Sequence, residues 1–176
     1  SKWLGVRCST FVSSGSSANY ISISILKVLN KNKYKNEIIV PTLTWISDIS
    51  SIILNGFKPV FVDINLENLS MDIDQVLKKI NKKTLGIFIT HAQGFNGLND
   101  KLLKAINKHK LYLIEDVCES HGATYKNKKL GTFGLMSNFS FYYAHHMTTI
   151  EGGMISTNNK EIYELSKIFR SHGMAR

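Results

Sequence analysis

Continuous apolar runs alternate along the chain with stretches of helical periodicity, and this alternation predicts an α/β fold. The first four runs show little apolar–polar alternation, so we expect strands that are covered on both faces. Strands are predicted at residues 38–40, 59–63, 86–90, 112–116, 138–142 and 153–156. A short apolar pair, Phe11 and Val12, indicates a further strand near the start of the chain.

Helical patterns fill the intervals between these strands. They predict helices at residues 17–29, 46–54, 72–80, 99–109 and 160–169, with Asp72 and Asn99 as N-caps. No repeat, linker or internal boundary interrupts the 176 residues, which suffice for one domain with its own core. The chain stops soon after a helix, so we expect a piece of a longer protein.

The net charge of +9 does not by itself indicate a nucleic-acid partner. The lysines cluster with asparagines in expected surface loops, and no zinc-finger spacing or aromatic–basic signature accompanies them, so nucleic-acid binding is not expected. No apolar run approaches the roughly 20 residues that span a bilayer, and no signal-peptide pattern opens the chain. The two cysteines, Cys8 and Cys118, are expected to be buried thiols in a reducing cytoplasm.

Small residues follow Phe11 and Val12 and lead into a helix, in the run Ser13-Ser14-Gly15-Ser16-Ser17-Ala18. Unpaired N–H groups at a helix N-terminus, together with hydroxyls, form a cradle for phosphate. Taken alone, the run is better explained as a serine-rich capped turn. The glycine motifs of P-loops and of dinucleotide-binding folds are absent.

Asp116 closes an apolar strand in the run Glu115-Asp116-Val117-Cys118-Glu119. Ligands of parallel α/β sheets gather at the carboxyl ends of strands, where an aspartate can pair with the protonated ring nitrogen of a pyridine cofactor. A helix cap or a metal ligand would explain the same residue. The sequence has no second carboxylate cluster with metal-binding spacing, so a metal is not expected.

Two adjacent histidines, His145 and His146, follow the strand that contains Ser140. They could be ligands, bases or ordinary structural residues. On a regular backbone neighbouring side chains point in different directions, so at most one of the pair is expected to face a given ligand.

Several motifs occur in one order and together resemble the DegT/DnrJ/EryC1/StrS family of pyridoxal-phosphate-dependent sugar aminotransferases and dehydratases. The matching segments are residues 4–6, 14–18, 39–45, 59–63, 114–116, 140–141, 151–153 and 170–173. The resemblance implies the large domain of fold type I: three α/β/α layers around a mostly parallel sheet. Members of the family are longer, so residues 1–176 are expected to form a partial cofactor-binding domain that lacks the N-terminal helix and the small C-terminal domain.

The resemblance implies contacts to pyridoxal or pyridoxamine phosphate from Ser16, Ser17, Trp45, Asp116, Glu119 and Ser140. The three serines would hold the phosphate. The tryptophan would stack on the ring, and the aspartate would pair with the ring nitrogen. The glutamate stands where the family often has glutamine, close to the phenolic oxygen of the cofactor.

His145 departs from the aminotransferase motif, which places a cofactor-binding lysine five residues after the serine. No lysine lies between Lys129 and Lys160, so a small shift in alignment cannot restore it. Histidine at this position resembles the 3-dehydratase branch of the family, which includes the GDP-4-keto-6-deoxymannose 3-dehydratases. Related CDP-sugar dehydratases add an iron–sulfur cluster; residues 1–176 show no cysteine cluster for it, and the C-terminal half expected beyond them leaves this alternative open. Histidine forms no stable imine with the cofactor, so His145 is expected to act as a base.

The resemblance therefore implies 3-dehydration of a nucleotide-linked 4-keto-6-deoxy sugar, with glutamate as amino donor, in the synthesis of deoxysugars for surface polysaccharide such as lipopolysaccharide O-antigen. Transamination of a nucleotide sugar is the alternative. A cytoplasmic homodimer is also implied.

Overall fold

A seven-stranded sheet forms the centre of the computed structural model, which describes residues 1–174. The strands of the chain are β1 Cys8–Val12, β2 Glu37–Pro41, β3 Lys58–Val62, β4 Thr84–Thr90, β5 Tyr112–Asp116, β6 Thr124–Tyr125, β7 Lys128–Lys129, β8 Met136–Ser140 and β9 Gly153–Thr157. The order across the sheet is β1-β9-β8-β5-β4-β2-β3, while β6 and β7 form a separate hairpin. The neighbours from β8 to β3 pair in parallel, and β9 runs antiparallel to both β8 and β1.

Helices cover both faces of the sheet: α1 Gly15–Leu29, α2 Ile46–Leu54, α3 Ile73–Lys79, α4 Asp100–His109 and α5 Lys160–Arg170. The predicted N-caps are confirmed, because the carboxylate of Asp72 and the amide oxygen of Asn99 each accept a hydrogen bond from a first-turn N–H. Within residues 1–174, no helix is both long enough and apolar enough to cross a membrane.

The core divides into two apolar clusters, one on each face of the sheet. On one face Ile23 of α1 and Ile52 of α2 pack with Phe88 of β4. On the other face Val76 of α3 and Leu102 of α4 lie in the second cluster. The three-layer α/β/α fold predicted from the sequence is confirmed.

β3 does not have the burial predicted for it. Of the strands in the described part of the chain, β2 alone pairs with it, so β3 forms an edge of the sheet, and Phe61 is 45% exposed. The Pro59–Val60–Phe61–Val62 run is typical of a strand that is covered on both faces. β3 instead lies at the edge of the sheet, where fewer neighbouring side chains cover it. The prediction was right for β2 and β4, all of whose residues are buried.

The strand predicted at residues 138–142 ends earlier, at Ser140. Phe141 and Tyr142 favour β-structure by type, but tertiary hydrogen bonds redirect the backbone. The N–H of Phe141 donates to Gly152 O at 2.8 Å, and its carbonyl accepts from Thr149 N at 3.0 Å. The segment carrying the two histidines therefore lies in an irregular loop.

The β6–β7 hairpin lies in a segment that the sequence analysis treated as a surface loop. Lys126 and Asn127 have φ values of 49° and 61°, which is the backbone of a two-residue turn of primed type. Glycine, the usual signal for this turn, is absent from these two positions. The two cysteines are free thiols, but both are half-buried rather than buried, since Cys8 begins edge strand β1 and Cys118 lies in the turn after β5.

Candidate active site

The predicted site residues lie at one edge of the sheet because the strands that carry them share a direction. Asp116 and Ser140 end β5 and β8, while Trp45 follows β2. β1 pairs antiparallel with β9, as β8 does, so it also ends at this edge and leads into α1. This is the edge at which parallel α/β sheets bind their ligands.

The N-terminus of α1 presents hydroxyl and N–H groups to this edge. Ser14 is the N-cap, and its Oγ accepts from Ser17 N at 3.0 Å. Ser17 Oγ lies 2.8 Å from Ser13 Oγ and 3.0 Å from Ser14 Oγ. The N–H groups of Gly15 and Ser16 lie in the first turn, where a helix offers no acceptor. These donors and the positive end of the helix dipole suit an anion.

Gly15 brings α1 into close contact with the ends of β8 and β5. A Cβ atom at Gly15 would lie 2.6 Å from Ser140 Cβ and 3.3 Å from Cys118 Sγ. Only glycine permits this approach, which sets the Ser140 hydroxyl beside the start of α1. The sequence analysis treated this small-residue run as a phosphate cradle or a capped turn, and it did not single out Ser14 as the capping residue.

Replacing Gly15 with alanine should destabilise the protein by about 1–3 kcal/mol, the usual cost of forcing extra volume into a packed contact. The full-length protein would be unfolded in urea to measure the change. Adding Ser140→Gly should recover part of the loss, because it removes the atom that the new methyl group meets. Equal stability of Gly15→Ala and the unaltered protein would show that α1 does not press on β8.

Asp116 is a buried carboxylate that lacks a cationic partner. It is 3% exposed, and its Oδ1 accepts from Cys118 N at 2.8 Å. Its Oδ2 is 3.5 Å from Asn19 Nδ2, a long contact. No ion pair to Asp116 occurs within the described part of the chain. Because burying an unpaired carboxylate is costly, a protonated nitrogen of a ligand is a suitable partner.

Trp45 is 66% exposed and is the N-cap residue of α2, with no capping bond from its side chain. Its neighbour Thr44 donates a hydrogen bond to Asp48, which lies close to Asp116. An open indole at the mouth of the site is available to stack on a planar ligand.

A hydrogen bond to Glu119 connects the loop after β5 with the loop after β4. Glu119 Oε2 accepts from Gln93 N at 2.9 Å, and Gln93 has a left-handed backbone with φ of 54°.

His91, which the sequence analysis left without a role, is structural here. Its Nδ1 accepts from Gly97 N at 3.2 Å, so Nε2 carries the proton and donates to the buried Glu115 at 3.2 Å.

The two adjacent histidines both lie beside the ring of His121. The ring centroid of His121 is 6.3 Å from that of His145 and 6.1 Å from that of His146. The loop has no regular backbone, so both rings can lie near His121, and the expectation that at most one of the pair faces a given ligand stays a prediction. Both ring nitrogens of His121 are buried and lack a hydrogen-bond partner among residues 1–174.

The surroundings of His121 favour its neutral form. Burial, followed by the nearby charges of His145 and His146, lowers the pKa of His121 to about 4. A neutral imidazole has one donor and one acceptor nitrogen. The two ring nitrogens of His121, which lie near His145, are therefore suited to form hydrogen bonds with a bound molecule.

A buried polar network behind Asp116 was missed by the sequence analysis. Asn138 Nδ2 donates to Asn19 Oδ1 at 2.9 Å, and Ser22 Oγ donates to Asn138 Oδ1 at 2.7 Å. These bonds orient the amide of Asn19 so that its NH₂ group faces the carboxyl groups of Asp48 and Asp116. The sequence signal for this network was the presence of the polar residues Asn19 and Ser22 within the apolar run of α1.

These features fit a phosphorylated pyridine cofactor. The close approach at Gly15 leaves a cradle lined by hydroxyl groups, and the indole of Trp45 is open for stacking. Asp116 has no cationic partner among residues 1–174. Over the described residues, no group of three or more histidine, cysteine, aspartate or glutamate side chains is placed to hold a metal ion.

The chain is similar to enzymes of nucleotide-sugar metabolism. It is 38% identical over 177 residues to GDP-4-keto-6-deoxy-D-mannose 3-dehydratase of Escherichia coli O55:H7, covering 99% of this chain and 46% of that protein. It is 35% identical over 170 residues to GDP-perosamine synthase of Escherichia coli O157:H7, covering 97% and 46%. The chain thus spans about half the length of the curated relatives it matches.

A solved structure supports the same relationship. GDP-4-keto-6-deoxymannose-3-dehydratase with a trapped PLP–glutamate geminal diamine superposes with a TM-score of 0.91 at 36% identity, covering 98% of this chain and 45% of that chain. The family pattern matches residues 1–176. The chain therefore belongs to the DegT/DnrJ/EryC1/StrS aminotransferase family.

Proposed function

We propose that the protein containing this chain is a pyridoxal-phosphate-dependent 3-dehydratase that acts on a nucleotide-linked 4-keto-6-deoxy sugar. The observation that carries the proposal is His145, which stands five residues after Ser140 in a segment without lysine. The similarity to a 3-dehydratase over 99% of the chain supports it.

The cofactor-binding residues of this proposal are those at the strand ends. Ser16, Ser17 and Ser140, with the N-terminus of α1, would anchor the phosphate. Trp45 would cover one face of the ring, and Asp116 would hold a proton on the ring nitrogen. Pyridoxal phosphate, when bound, supplies an electron sink for charge that develops on an adjacent carbon.

His145 is proposed as the base of the reaction. It would accept, at a ring nitrogen, the proton whose removal allows the C3 hydroxyl of the sugar to leave. Because histidine forms no stable covalent link to the cofactor, retention of the cofactor would depend on the phosphate cradle, Trp45 and Asp116. Glu119, tied to Gln93, would lie toward the phenolic oxygen of the cofactor.

Three further parts of the proposal concern partners and location. Glutamate is proposed as amino donor, supported by the adduct in the solved relative. A homodimer is proposed, and the exposed apolar side chains Ile46, Ile53 and Leu54 of α2 offer a surface that a second subunit would cover. The free thiols suit a cytoplasmic location.

Product analysis tests the proposed reaction directly. The full-length protein would be incubated with pyridoxal phosphate, glutamate and a panel of nucleotide-linked 4-keto-6-deoxy sugars. We expect mass spectrometry to detect a product that has lost the C3 oxygen and kept its ketone, formed only when glutamate is present.

A product in which an amine replaces the ketone would instead establish transamination, the alternative reaction. The role assigned to His145 would then be wrong. Turnover of none of the sugars, in a protein that binds the cofactor, would contradict the proposed substrate class.

A further inference from the structure

A second carboxyl group lies behind Asp116. Asp48, in the first turn of α2, has no exposed surface. Its Oδ1 is 2.5 Å from Asn19 Nδ2, and the same nitrogen is 3.5 Å from Asp116 Oδ2. One amide nitrogen therefore connects the carboxyl groups of two residues that are far apart in sequence.

The side chains that donate hydrogen bonds to Asp48 are neutral. Thr90 Oγ1 of β4 is 2.9 Å from Asp48 Oδ2, and Thr44 donates to the same oxygen. The titratable groups that face the pair are the thiol of Cys118 and the ring of His121, whose pKa is lowered to about 4, chiefly by burial. No lysine, arginine or histidine forms an ion pair with either carboxyl group in the described ranges.

Two negative charges in such a site would repel each other strongly, since burial lowers the local dielectric. Burial of two neighbouring carboxyl groups therefore favours a proton on one of them. Asp116 ends β5 at the cofactor edge of the sheet, whereas Asp48 lies behind it with no exposed surface, so burial acts more strongly on a charge at Asp48. For Asp48, burial and then the charge of Asp116 raise the pKa well above its usual range.

We propose that Asp48 and Asp116 form a carboxyl pair that holds one proton, with Asp48 as the neutral member. Asp48 is then a positioning residue, which keeps Asp116 ionised and directed toward the ring nitrogen of the cofactor. The role toward the ring nitrogen rests on the proposed function, whereas the shared proton does not.

The shared proton gives a definite pH dependence to stability. A group whose pKa is higher in the folded state than in the unfolded state contributes stability below its unfolded pKa of about 3.9, and this contribution is lost as pH rises through the folded value. Asparagine at position 48 can fill the same space without holding a proton. The unaltered protein should therefore lose stability relative to Asp48→Asn as pH rises.

Thermal unfolding of the cofactor-free, full-length protein tests the proton. The melting temperature of Asp48→Asn minus that of the unaltered protein should increase by at least about 3 °C from pH 5 to pH 8. Asp74→Asn is the control, because Lys101 lowers the pKa of this exposed aspartate, and its difference should not increase. Parallel curves for Asp48→Asn and the unaltered protein would overturn the shared proton.

Cofactor binding tests the positioning role separately. Pyridoxal phosphate affinity, measured by absorbance titration, should fall about tenfold in Asp48→Ala, because Asn19 loses the acceptor that holds its amide beside Asp116. Asp48→Asn should retain most of the affinity, since its amide oxygen can accept from Asn19 in place of the carboxyl oxygen. Equal affinity of all three proteins would overturn the positioning role. Failure of the unaltered protein to bind the cofactor would count against the proposed function, and the thermal result would still decide the shared proton.

Discussion

Replacing His145 with asparagine should lower kcat for dehydration by about 100- to 10,000-fold, the usual contribution of a positioned general base. Asparagine has a similar shape but cannot accept a proton at neutral pH. His145 is half-buried in the loop after β8, beside the rings of His121 and Tyr142. Steady-state kinetics with the nucleotide sugar identified by product analysis would measure the loss.

His146→Asn is the matched control, because His146 lies against the same His121 ring but is exposed. We expect its kcat to change less than tenfold. The absorbance of bound cofactor should persist in both variants, since neither position belongs to the phosphate cradle. Near-normal turnover by His145→Asn, or an equal loss in the two variants, would contradict the assignment of the base.

Replacing Glu115 with alanine should destabilise the protein by about 3–5 kcal/mol. Glu115 is fully buried, and its Oε1 accepts from the backbone N–H groups of Phe133 at 2.8 Å and Gly134 at 2.6 Å. Its Oε2 accepts from Gly131 N at 2.8 Å and from His91 at 3.2 Å. Alanine would leave these donors without a partner in the interior. Urea unfolding of the full-length protein would give the change in free energy.

Glu67→Ala provides the comparison, because Glu67 is exposed on the surface. A change within about 0.5 kcal/mol is expected there. Comparable stabilities for the two variants would mean that the segment after β7 does not depend on the Glu115 carboxylate.

The secondary structure could be predicted largely from local pattern. The predicted bounds of β5, Tyr112–Asp116, and of α2, Ile46–Leu54, agree with the structure to the residue. The edge position of β3 could not be predicted in this way, because a strand's neighbours depend on the order across the sheet. The early end of β8 depends on hydrogen bonds from Thr149 and to Gly152, which local propensity does not contain.

The site residues that belong to family motifs could be predicted from the sequence. Contacts between side chains from separate segments could not. Asp116 and Ser140 occur in motifs, and their positions at strand ends follow from the predicted strands. Asp48 meets Asn19, from 29 residues away, only because α2 packs on α1. A lone aspartate inside the apolar run of α2 was the one sequence signal of this contact.

The sheet order also has a consequence for synthesis of the chain. Among the described strands β1 pairs with β9 alone, and Ser9 lies opposite Ser156. Contacts between such distant residues form late, because a long loop must close first. A ribosome must therefore release residues 153–157 before β1 can dock and fix the start of α1. The proposed phosphate cradle, although it is encoded near the beginning of the chain, is assembled among the last parts of this fold.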